Sequence, residues 1–128
     1  MEYRMTSVLN VDSIADKAGT GPVALTKQHA AKGWCHANQV SVGITDSFNV
    51  SSISDQSAGL IYYTPTNSMS DANFAACVSV RNSSTGATFA QSLNDLHTSS
   101  RWASSSKNSS STGVDSQHNN IAVHGDLA

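Results

Sequence analysis

Phe74-Ala75-Ala76-Cys77-Val78-Ser79-Val80 decides the fold class. Successive side chains of an extended strand point to opposite faces, so Phe74, Ala76, Val78 and Val80 share one side and Ala75, Cys77 and Ser79 the other. That alternation marks a strand with one face in a core. The same period recurs on both sides of it. Val40, Val42 and Ile44 alternate with Ser41 and Gly43, and Phe48, Val50 and Ser52 continue after a break near Thr45-Asp46. A turn across Ser54–Gly59 leads to Leu60–Thr64, which is rich in Ile and Tyr and is ended by Pro65. Asn82–Gly86 reads as a turn, Ala87–Leu93 as a strand, and Asn120–Gly125 as the last strand, with Ile121 and Val123 inward and Ala122 and His124 outward. No crossover helices separate these segments. The expectation is an all-β fold, a small antiparallel β-sandwich of six to seven strands.

The ends of the chain read differently. Residues 1–24 are expected to form an extended docking arm ahead of a sandwich domain at 25–128, with Gly19-Thr20-Gly21-Pro22 as a turn. Thr26 is placed to cap a short N-terminal helix over Lys27–Lys32, stopped at Gly33. Such a helix is marginal without a neighbour. Asp95–Thr112 has the poorest β signal: eight of the thirteen residues from Ser99 to Ser111 are serine, and Trp102 is the single large apolar residue there. A serine-rich surface loop near 98–113 is expected.

Composition narrows the partners. The formal net charge is −2 and 12% of residues are charged, about half the usual share. Disorder usually pairs low hydrophobicity with high net charge, and the charge is lacking here. Solubility must come from hydroxyls and amides, which suits a surface packed against neighbours or facing carbohydrate; a secreted domain with a generic polar coat is the alternative. The seven Lys and Arg residues are scattered, so no nucleic-acid partner is expected. No apolar run reaches membrane length, so no membrane insertion is expected. Met1–Ser13 lacks the apolar region of a signal peptide, which implies assembly in a cytoplasm. Cys35 and Cys77 have no C-x-x-C companion, and both are expected to be reduced and buried.

Candidate chemistry is sparse. His29, His36, His97, His118 and His124 show no zinc-binding spacing, and Cys35 and His36 point to opposite faces of a strand. A metal would need a symmetry axis, with His118 or His124 given once per subunit. No metal and no cofactor are expected. The serines lack a nucleophile elbow, and no aspartate pair has enforced two-carboxylate spacing, so the chain reads as not an enzyme. Tyr62 and Tyr63 must face opposite sides, one of them in the core. Trp102, with Asn108 or Asp115, is the candidate receptor or glycan contact; the competing reading has Trp102 pinning its loop to the core.

Ser13–Trp34, SIADKAGTGPVALTKQHAAKGW, places Gly-Thr-Gly-Pro-Val, Leu-Thr-Lys-Gln and Ala-Ala-Lys-x-Trp in close order. With Asp46–Ile53, Met69–Phe74 and the ending Ile121–Asp126, it resembles a module of tailed-bacteriophage virion proteins, above all a tail-fibre-like family of marine phages, and the strand pattern resembles the six-stranded H-type lectin-like sandwich. The chain departs from that pattern after Trp34, where Cys35-His36-Ala37-Asn38-Gln39 replaces an Asn/Gly-rich strand. The resemblance implies a non-enzymatic structural component of a virion: a tail fibre, tail tip or tail accessory protein that contacts the host surface. A capsid decoration or head-fibre protein, and a sugar-binding module outside a phage, are the alternatives. The resemblance further implies a homotrimer whose axis is lined by Ala30, Ala31 and Trp34. The arm would bind other virion proteins, and the loops near Asn67–Asn73 and Arg101–Gln117 would face outward, towards a host-surface glycan.

Overall fold

The computed structural model of the chain describes residues 30–81 and 89–128. Eight strands run through the described residues: β1 (Gly33–Asn38), β2 (Gly43–Phe48), β3 (Val50–Ser57), β4 (Leu60–Pro65), β5 (Ala75–Arg81), β6 (Phe89–Ser92), β7 (Trp102–Lys107) and β8 (His118–His124). They form two four-stranded sheets, ordered β2-β1-β8-β5 and β3-β4-β7-β6, with every neighbouring pair antiparallel. The inner faces meet in one core. Cys35, Ala37, Ile121 and Val123 come from the first sheet, Val50, Ile61, Tyr63 and Trp102 from the second, and Met69 and Phe74 from the connection between β4 and β5. The expected all-β antiparallel sandwich is what the residues build.

The strand count differs, at eight among the described residues against six to seven expected, for three physical reasons. Val40 and Val42 are not in a strand. They sit in the turn joining β1 to β2, 55% and 49% exposed, where Asn38 Oδ1 accepts the Ser41 N–H at 3.1 Å and Val42 has φ of 48°. The alternation there is real in sequence but meets no core. The strand that precedes it, β1, buries the small side chains Cys35 and Ala37 and so carries a weak hydrophobic signal. The break near Thr45-Asp46 is a bulge: His36 faces Asp46 and Ala37 faces Ile44, leaving Thr45 as the extra residue.

The third reason is β7. The serine-rich stretch is not a surface loop but an inner strand of the second sheet, between β4 and β6. Ser104, Ser105 and Ser106 are buried. Their hydroxyls are paired: Ser104 Oγ with Tyr63 Oη at 3.1 Å, Ser105 Oγ donating to Gln91 Oε1 at 3.4 Å and Ser106 Oγ donating to the Val114 carbonyl at 2.6 Å. Buried polar atoms cost little when each has a partner. Ser109–Thr112 stays as an exposed tip. The turn expected over Ser54–Gly59 shrinks to Ala58-Gly59, because β3 continues to Ser57 as an edge strand.

The chain passes from the first sheet to the second at Asn49, whose φ is 58°. Asparagine tolerates this left-handed conformation better than most residues. Its side chain locks the corner, donating to the Lys32 and Asn67 carbonyls at 2.9 and 3.1 Å and accepting the Asn67 N–H at 2.7 Å. Ala30, Ala31 and Lys32 are not helical. The rest of the expected helix, the arm at 1–24, the Gly19–Pro22 turn and the Asn82–Gly86 turn lie outside the described residues.

Candidate functional site

The outer face of the first sheet is where the structure concentrates uncovered chemistry. Strand register aligns Phe48 of β2, Trp34 of β1, Ala122 of β8 and Cys77 of β5 in one row across all four strands. Phe48 is 55% and Trp34 38% exposed. Strands about 4.8 Å apart make this apolar row about 14 Å long. The next outward row is polar, with Asp46, His36, Asn120 and Ser79 in register. Asn120 Nδ2 donates to Ser79 Oγ at 3.2 Å. One step further, His118 stands diagonal to His36; their rings stack at 5.4 Å between centroids and 25° between planes, and His36 Nε2 lies 3.1 Å from His118 Nδ1.

The second sheet treats its outer face differently. Tyr62 is half-buried there, under the Arg101 guanidinium at 4.5 Å from the ring centroid. Arg101 is fixed by its Nε–H to the Leu96 carbonyl at 2.9 Å. Ala103, beside them, is fully buried. Phe89, on β6, is 54% exposed and lines an open depression of about 370 Å³ with Ala90, Gln91, Lys107 and Ser111.

Trp102 is fully buried, packed edge-on to Phe74 at 6.4 Å and 66°. Its ring has no face to offer a sugar, so the glycan contact expected of it does not fit its place, and the competing reading holds. Asn108 is turned into its own loop, accepting the Ser110 and Thr112 N–H groups at 3.0 Å each. Asp115 accepts the Gly59 N–H at 2.8 Å. These three side chains are committed to separate structural tasks. Trp34 does face outward, Ala30 is exposed and Ala31 half-buried. Of the loops expected to face outward, 67–73 is divided: Met69 is a core residue bridged to Leu127, while Ser70–Asn73 are exposed. The segment 101–117 holds the buried strand β7 followed by a connection in which 109–112 are exposed and Ser116 is buried.

The cysteines separate. Cys35 is buried and Cys77 exposed, both as free thiols. The expectation that both are buried therefore fails for Cys77, which lies on the outer side of β5. Their strands flank β8 rather than each other. Burial, and secondarily the Asp46 carboxylate, push the Cys35 thiol up to about 11. His97 is buried beside Phe74, with ring centroids 4.7 Å apart. Its Nδ1 accepts the Ala103 N–H at 3.1 Å, so the proton sits on Nε2, which is 2.9 Å from Ser92 Oγ. Burial, and then the Arg101 charge, hold its pKa below the ordinary value.

Sequence reasoning missed the Phe48–Trp34 row and the His36–His118 pair. Both depend on register between strands distant in sequence, and only the parity of each residue within its strand was available to indicate them. Among the described residues, no group of three or more His, Cys, Asp or Glu side chains is placed to hold a metal ion. Nor is any helix there long and apolar enough to cross a membrane. Comparison of the chain with protein-family models, curated proteins and solved structures gave no match.

Proposed function

We propose that this chain is a non-enzymatic structural component of a bacteriophage virion, a tail fibre, tail tip or tail accessory protein, joined to its neighbours through the outer face of the first sheet. The observation that carries the joining surface is the row Phe48–Trp34–Ala122–Cys77. Two large aromatics stand side by side and uncovered on an otherwise polar, weakly charged protein. Aromatic residues are enriched at protein interfaces, where they supply large rigid area at low entropic cost. The virion setting comes from the motif order in residues 13–34. A homotrimer with Trp34 near its axis, and attachment to other virion proteins through residues 1–24, belong to the same reading.

The test combines location with surface. Purified particles of the phage that encodes the chain are expected to contain it in fixed copy number, and a particle reconstruction is expected to place the Trp34–Phe48 face against another virion subunit or another copy. Trp34→Glu with Phe48→Glu is expected to leave the isolated domain folded and to abolish incorporation. Particles that lack the chain would refute the virion setting. Incorporation unaffected by the double substitution would refute the surface.

A further inference from the structure

We propose that His36 and His118 form a two-point binding site for a borderline divalent transition-metal ion, of the Ni²⁺, Cu²⁺ and Zn²⁺ class. Neither the virion reading nor the aromatic row is needed for it. Two nitrogens bound to one zinc at 2.0–2.1 Å stand about 3.3 Å apart in a tetrahedral array, and about 2.9 Å apart at the right angle of a square-planar one. His36 Nε2 and His118 Nδ1 are 3.1 Å apart, between those values. The backbone already sets the spacing, since β1 and β8 are paired neighbours and the two residues are diagonal on one face. In the structure the two nitrogens share a hydrogen bond, so an ion must replace the proton between them, each imidazole keeping its one proton on the other ring nitrogen; terminal imidazole torsions are soft, so turning both lone pairs towards the ion needs ring rotation rather than strand movement.

The charges flanking the pair offset one another, so the nitrogen spacing carries the site. Asp46 faces His36 across the β1–β2 ladder and brings negative charge to the same side of the sheet. Imidazole donors select the late first-row divalent ions over calcium or magnesium. His36 and His118 are half-buried rather than enclosed, which leaves the outer coordination positions to water or to a group on a bound partner. On the β5 side, Asn120 is hydrogen-bonded to Ser79 and Arg81 faces His118 across the β5–β8 ladder, so a bound ion would have one cationic neighbour there, set against Asp46 on the β2 side.

The probe is the metal ion alone, titrated into the full chain by calorimetry, with binding of Ni²⁺ and Zn²⁺ followed separately. One equivalent is expected to bind. His36→Ala and His118→Ala are each expected to weaken it at least about tenfold, because each removes one of two protein donors. His124→Ala, on the same face, is expected to leave it unchanged. Ring resonances of His36 and His118 are expected to shift together on titration, a readout that general destabilisation would not give. Absence of binding at millimolar metal overturns the proposal. So does binding that survives His36→Ala, or that disappears in His124→Ala.

Discussion

Gly33→Ala tests how tightly the core is closed around Trp102. A methyl group at Gly33 would overlap Trp102 Cη2, lie 2.9 Å from Cζ3 and stand 3.2 Å from the Phe48 carbonyl oxygen. The indole is rigid and fully buried between the sheets, so it has little room to retreat. Overpacking of this kind costs about 1–3 kcal/mol, and with backbone on the opposite side the upper end is expected. Trp102→Phe shortens the ring so that the obstructing atoms are gone. It also deletes Nε1–H, which is buried without a protein partner among the described residues. Its own cost is a partial cavity, about 1–2 kcal/mol. In the Trp102→Phe background, adding Gly33→Ala is expected to cost under about 0.5 kcal/mol, a coupling of about 2.5 kcal/mol between contacting residues. Equilibrium urea unfolding reads this out: with a slope of about 2 kcal/mol/M, the Gly33→Ala midpoint falls by about 1.5 M in the parent and hardly moves in the Phe background. Equal cost in both backgrounds would refute the reasoning.

Gly59→Ala is expected to cost at least about 1–3 kcal/mol in the same assay, because φ is +72° and the added methyl would meet backbone on three sides, at Ser106 O, Val114 N and Gly113 Cα. His97 gives a pH dependence. Its folded pKa lies below the ordinary value of 6.5, so between those two pH values the unfolded chain binds the proton and the folded one does not. Stability is therefore expected to fall as pH drops below about 6.5, with the slope reduced in His97→Gln. At pH 8 Cys77 is expected to be alkylated by iodoacetamide and Cys35 to resist, since a buried thiol near 11 is about one part in a thousand thiolate; equal labelling of the native protein would be the contrary result. Trp102→Ala is expected to cost about 3–5 kcal/mol, so any binding lost in that variant reports unfolding rather than a missing contact surface.

The parts of the fold legible in the sequence are those where side-chain parity and burial agree. Residues 74–80 and 120–124 alternate as written, with Ile121 and Val123 inward and Ala122 and His124 outward. Tyr62 and Tyr63 split between the outer face and the core, as adjacent strand residues must. What stayed hidden has two physical sources. In β7 the buried groups that follow Trp102 are mostly hydroxyls, satisfied by partners such as Tyr63 and the Val114 carbonyl that composition does not reveal, so composition registers a loop. In the β1–β2 hairpin a valine pair imitates a strand, while an asparagine side chain closes the turn that holds it. The outer-face site was legible only as single residues. Trp34 stood out by type, and His36 by its place opposite Cys35, but neither position announces Phe48 or His118 as its neighbour.

An inner strand built on Ser104-Ser105-Ser106 has a thermal consequence. Exposing apolar surface raises the heat capacity of unfolding and exposing polar surface lowers it. A sheet that buries hydroxyls in this strand therefore opens with a smaller heat-capacity change than a Val/Ile strand would give, and its stability curve is broader and flatter. The same strand, once released, reads Trp-Ala-Ser-Ser-Ser-Lys, which lacks the β-branched run that stacks into cross-β zippers. Heating and cooling should thus return this sheet to its starting state more readily than one with a hydrophobic strand in that place.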